Sequence, residues 1–167
     1  MKHAWRMVRT IVAVTLIATA CDAAAGGDGP EWKKFGEAIS EAGSANKMVV
    51  VDVYTDWCGW CKRMDAEVYG DSTVQAALRE HFIAVKLDAE SSTKHTVQGR
   101  EASEREIAKS FGVSGYPSTV FLSPKGELIT VLPGYIDKQT FVHVLEYIQS
   151  GSYRTTRWND FLQSRKG

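Results

Sequence analysis

Cysteine is scarce in this chain, with three in 167 residues. A small exported domain stapled by disulfides needs a denser framework, so that class is excluded. Runs of Lys or Arg are missing too, and with them the electrostatic footprint of a nucleic-acid binder. Bases and acids balance, at 20 Lys+Arg against 20 Asp+Glu. No apolar run reaches the ~20 residues that a membrane-spanning helix needs. No segment repeats. The length suits one domain with a full core.

What is present begins with a leader. Met1 to Arg9 carries Lys2, Arg6 and Arg9 and no acid, and Thr10 to Ala20 is apolar. Ala18-Thr19-Ala20 then offers small residues for cleavage. This is the pattern of a secretory signal peptide over residues 1–20. Without those three bases the remainder holds 17 Lys+Arg against 20 Asp+Glu, a net of −3. Cys21 follows directly and resembles the lipid acceptor of a bacterial lipoprotein, although Ala18 stands where such sites usually carry Leu. Asp22 resembles the signal that keeps some lipoproteins in the inner membrane. Cleavage within Ala23–Ala25 would instead remove Cys21, and both outcomes stay open. The expected location is the bacterial periplasm, with or without an anchor at Cys21.

Residues 21–30 are small and Gly-rich, which reads as a tether. Glu31 to Ala42 has Trp32, Phe35, Ala38, Ile39 and Ala42 at helical spacing. Met48 to Tyr54 is nearly continuous β-branched sequence and predicts a central strand covered on both faces. Gly59 to about Tyr69 reads as helix, and Ser72-x-x-Gln75 as a capping box opening a helix to His81. Phe82 to Leu87 predicts a second buried strand. Ala89 to Ala102 is polar and aperiodic and reads as a long surface loop. Ser103-x-x-Glu106 is a second capping box, with a helix to Phe111. Ser118–Leu122 and Glu127–Leu132 read as a hairpin, and Asp137 as the cap of a last helix. The domain therefore spans 31–150, and the tail 151–167 adds Trp158, Phe161 and Leu162 as an amphipathic turn. The fold class is α/β, a mixed central sheet with helices on both faces.

Trp57-Cys58-Gly59-Trp60-Cys61 lies between the first strand and the helix after it. A cysteine at a helix start meets free backbone N–H groups and the helix dipole, which favour its thiolate. A second thiol one turn away can resolve a mixed disulfide, so the site suits thiol–disulfide exchange. As a structural staple the pair would do little, because it closes a very short loop. A zinc site would need further ligands, and His81, His95 and His143 show no finger spacing, so no metal is expected. Asp52, six residues upstream among apolar neighbours, is a desolvated carboxylate able to carry a proton.

The segments VVVDVYTDWCGWCK (49–62), VKLD (85–88) and GVSGYPSTVFL (112–122) resemble the thioredoxin family over residues 31–150. The likeness is nearest to the C-terminal domain of membrane thiol:disulfide interchange proteins and to exported thioredoxin-like proteins of sulfur oxidation. The resemblance implies that Cys58 is the nucleophile and the more exposed cysteine, and that Cys61 is the resolving thiol. It implies that Asp52 is the acid/base for Cys61, with Lys86 beside it. It makes Pro117 a cis-proline and Tyr116 a backbone partner for an extended substrate, with Trp57, Gly59 and Trp60 flanking. Gly134 and Tyr135 resemble the rim of the site. No cofactor is implied beyond the Cys58–Cys61 disulfide, and the protein is expected to be a monomer.

Reduction of disulfides in exported proteins, supplied by a membrane thiol-electron donor, is the favoured function. Oxidation of client thiols is the alternative, since Trp60 stands where reducing thioredoxins carry Pro. Related proteins span potentials of about −270 to about −120 mV. A binding module holding Cu(I) on the two thiols is the reading from another class; only Met64 lies near to support it.

Overall fold

The computed structural model describes residues 29–97 and 99–165. The leader 1–20, Cys21 and all but the last two residues of the tether lie outside the described residues. In chain order the elements are α1 (Phe35–Ala45), β1 (Met48–Tyr54), α2 (Gly59–Met64), α3 (Ser72–His81), β2 (Phe82–Asp88), β3 (Lys94–Val97), β4 (Arg100–Ser103), α4 (Glu104–Ser110), β5 (Ser118–Leu122), β6 (Leu128–Pro133), α5 (Lys138–Gln149) and α6 (Trp158–Ser164). A π-helical turn, Asp65–Tyr69, continues α2. No helix among the described residues is long and apolar enough to cross a membrane.

Five consecutive buried residues in β1 place it at the centre of the sheet. The order is β2-β1-β5-β6, with β2 parallel to β1 and the other pairings antiparallel. Alternation along β1 then builds two cores. Val49, Val51 and Val53 pack with α1 and α4, while Val50 packs with Met64, Leu78, Phe121 and α5. This is the mixed α/β sheet, covered on both faces, that the sequence predicts. By parity Asp52 lies on the second face, under α2 and the π-helical turn.

Several local expectations need correction. The first helix begins at Phe35 and not at Glu31, because the free edge of β2 captures the chain before it. Lys33 N–H donates to the Ala84 carbonyl at 2.9 Å and Lys33 bridges Val85 in parallel. The cap of α3 is Asp71, whose carboxylate accepts from Thr73 and Val74 N–H. Gln75, expected to close a box with Ser72, instead donates its side-chain amide to the Tyr69 carbonyl. The second box, Ser103 with Glu106, forms.

The expected loop over 89–102 contains β3 and β4, an antiparallel hairpin. Its strands are short and mostly polar because only one side faces protein: Val97 and Ala102 pack towards α1, and His95 is buried. Gly36 allows this approach, since a Cβ there would stand 2.8 Å from the Thr96 carbonyl oxygen. Asp137 caps α5 as expected. The tail folds back, with Trp158 and Phe161 centred 5.2 and 5.0 Å from the Tyr147 ring.

Candidate active site

Cys58 and Cys61 form a disulfide at the start of α2, with Cα atoms 5.3 Å apart. Cys58 is the N-cap of that helix, and its Sγ accepts from Cys61 N–H at 3.1 Å. The expected contrast in exposure is not found: Cys58 is 4% and Cys61 3% exposed. The bond to Cys61 and its N–H hold the Cys58 sulfur against the first turn of α2.

Two aromatic groups flank the pair. Trp57 is 67% exposed; its indole N–H donates to Glu90 at 3.1 Å and its ring meets Tyr116 edge-on at 6.0 Å. That contact brings the Tyr116–Pro117 loop beside the cysteines. The Tyr116–Pro117 bond is cis, and Gly134 N–H donates to the Pro117 carbonyl at 2.8 Å. On the other flank Trp60, 55% exposed, lies 5.5 Å from Tyr135, with the Arg63 guanidinium 5.2 Å from both rings. Glu67 ties this cluster together, accepting from Arg63 Nε and from the Tyr135 hydroxyl. The Tyr135 and Arg63 hydrogen bonds hold its carboxyl below the usual range. Above Gly59 the space is open, since a Cβ would meet nothing within 4 Å.

Beneath α2 the sheet register sets Asp52 between Lys86 on β2 and Thr119 on β5. Asp52 is 1% exposed and neither carboxyl oxygen has a hydrogen bond. Lys86 Nζ stands 3.4 Å away, an ion-pair distance, and makes its closer contact to Asp65 on the π-helical turn. Burial pushes the Asp52 carboxyl up to about 7; Lys86 opposes the rise and Asp65 adds to it. Tyr69 is buried on the same face, 3.4 Å from the Thr119 hydroxyl, and burial pushes its phenol well above the usual value.

The structure thus sets Trp57, Tyr116, Trp60 and Tyr135 about the cysteine helix and Asp52 with Lys86 beneath it. Arg63, Asp65, Glu67, Tyr69 and Glu90 join them without having been singled out from the sequence. Asp65 had a signal: it is four residues beyond Cys61, next to Met64 and three before Val68, so it is an acid on the inward stripe of a helix. Among the described residues no group of three or more His, Cys, Asp or Glu could hold a metal ion.

A centre of this kind moves electrons in pairs, as a dithiol closes or a disulfide opens. With the mixed sheet around it, the class is that of thioredoxin-fold thiol–disulfide oxidoreductases. The chain belongs to the thioredoxin-like domain family, which matches residues 35–149. It is 32% identical over 107 residues to the thiol:disulfide interchange protein DsbD of Ralstonia nicotianae. That match covers 64% of this chain and 16% of the relative, so the chain spans under a fifth of its length. A proposed disulphide-isomerase from Bacteroides thetaiotaomicron is 32% identical, with a TM-score of 0.56 over 77% of this chain and 97% of that one. The C-terminal domain of DsbD from Neisseria meningitidis, in the reduced form, is 25% identical, with a TM-score of 0.50 over 66% and 90%.

Proposed function

We propose that this chain is exported and reduces disulfides in other exported proteins through the Cys58–Cys61 pair. In the reduced state the Cys58 thiolate attacks one sulfur of a client disulfide, and the client's other sulfur leaves as thiolate. Cys61 then gives its proton to the Asp52 carboxylate, through water, and attacks Cys58 Sγ. The second client sulfur leaves, the Cys58–Cys61 disulfide closes, and two electrons have passed to the client. Trp57, Gly59, Trp60 and the Tyr116–Pro117 loop form the surface that receives the client backbone. A membrane dithiol donor then returns two electrons by the reverse exchange, leaving Cys58 as thiolate, and Cys61 recovers its proton from Asp52. The leader at 1–20 supports export, and Cys21 is the residue that would take a lipid.

The observation that carries this reading is Asp52: a buried carboxyl without a hydrogen bond, with a pKa of about 7, under the helix that holds both cysteines. A base of that pKa is half-available near neutral pH, where proton transfer from a thiol is most useful. The reducing direction is also the one a buried acid supports: strong disulfide oxidants stabilise their thiolate form, and an ionised Asp52 beneath the pair opposes that form.

The test is the reduction potential of Cys58–Cys61, measured by equilibration with glutathione. The proposal expects a value towards the thioredoxin end, about −270 mV. A value near about −120 mV, that of a strong oxidant, would reverse the direction of electron flow.

A further inference from the structure

The chain before α1 contributes a side chain to the proton site. Because Lys33 is bridged to Val85 on the edge of β2, the preceding Trp32 is carried across the face where Lys86 and Asp52 lie. Its ring centroid is 5.0 Å from that of Tyr69, edge-on, and Lys86 Nζ lies over it at 5.1 Å. The Tyr54 ring covers the ammonium from another side at 5.0 Å. Lys86 is thus enclosed by two aromatic faces, the Asp65 carboxylate and the Asp52 carboxylate. A cation over an indole face is attracted most strongly where water is excluded.

We infer that Trp32 is a positioning residue for proton transfer, its indole fixing the Lys86 ammonium and closing the Asp52 carboxylate off from water. The inference rests on the proposed acid/base role of Asp52. Packing alone would ask only for apolar bulk against Tyr69. The cation–π geometry asks for a ring at this position. Burial is the largest cause of the raised Asp52 pKa and Lys86 the main opposing one, so losing the cover of Trp32, which lowers the midpoint, outweighs loosening Lys86, which raises it. The titratable groups facing this point are Lys86 from β2, Asp65 and Tyr69 from the π-helical turn, and Tyr54 from β1. Asp56, Asp88 and Glu104 reach it through their fields on Tyr54.

The experiment titrates the Asp52 carboxyl carbon by NMR in the oxidised full chain, for the wild type, Trp32→Leu and Trp32→Phe. Opening the site should lower the Asp52 midpoint in Trp32→Leu by about one pH unit, as desolvation weakens. Trp32→Phe should give a smaller shift in the same direction, and the pH profile of disulfide reduction should move with the midpoint in both. Thermal stability, read alongside, separates this from packing: a lowered Tm with an unmoved midpoint and profile would overturn the inference. If Trp32→Leu does not fold, Trp32→Phe carries the test, and an unmoved midpoint there overturns it. Asp52→Asn isolates the underlying reading. If that variant keeps the wild-type pH profile, the acid/base role of Asp52 fails, while the Asp52 midpoint in the Trp32 variants still decides whether Trp32 shields it.

Discussion

Asp52 pays for its position with stability. In the unfolded chain its carboxyl titrates near the ordinary value of 3.8, whereas in the folded chain it holds its proton up to about 7. The folded state therefore binds more protons across that window, and stability falls as pH rises through it. Below the window the penalty is absent, and above it the full cost is on the order of 4 kcal/mol. Asp52→Asn should be favoured over the wild type increasingly from about pH 4 to about pH 8, by that amount, in urea denaturation at each pH. A difference independent of pH would mean that Asp52 is not buried with a raised pKa. Asp65→Asn acts in one direction by two routes: it removes a negative charge and frees Lys86 to approach Asp52. The Asp52 midpoint, followed by carboxyl NMR, should move down. Asp52 was legible as a lone acid in an apolar strand, and Lys86 and Pro117 through the resemblance of VKLD and GVSGYPSTVFL to the thioredoxin family. Asp65 left only the trace of an acid on the inward stripe of a helix, and Trp32 left none, because a strand edge that overrides helical spacing carries it to the site.

At the scale of elements, close approach decides more than propensity. Gly36 and Gly43 both lie in α1, where Ala is intrinsically better by about 1 kcal/mol. A Cβ at Gly43 would meet the Pro124 carbonyl at an ordinary 3.6 Å, but at Gly36 it would stand 2.8 Å from the Thr96 carbonyl oxygen. Gly43→Ala should therefore raise Tm, while Gly36→Ala should lower it by displacing the β3–β4 hairpin. Equal effects of the two substitutions would mean that the hairpin does not lie against α1. The same hairpin marks the limit of the sequence reading. The runs 48–54 and 82–87 declare themselves as strands through nearly continuous apolar composition. Lys94–Val97 and Arg100–Ser103 bury too little for a period to show. Glu104 anchors the hairpin from α4, accepting from Asp88 N–H and meeting His95 Nε2 at 2.9 Å. No local pattern announces that contact.

At the scale of the whole molecule, one sheet serves two purposes. Its central strand carries odd-numbered valines into one core and Asp52 into the other, so the register that builds the fold also sets this carboxyl beneath the helix of the cysteines. The mixed topology was legible from the order of helices and strands, since a crossover helix forces β1 and β2 parallel and a tight turn forces β5 and β6 antiparallel. The two aromatic flanks, Trp57 with Tyr116 and Trp60 with Tyr135, join segments distant in sequence, and only the folded chain brings them to one rim. The central claim, that Cys58 exchanges with client disulfides and Cys61 resolves the product, is tested most directly by trapping. The reduced Cys61→Ser variant, produced with residues 1–20 intact, should accumulate mixed disulfides whose adducts map to Cys58 by mass spectrometry. Cys58→Ser should accumulate none. Absence of adducts on Cys61→Ser, or equal adducts on Cys58→Ser, would contradict the account.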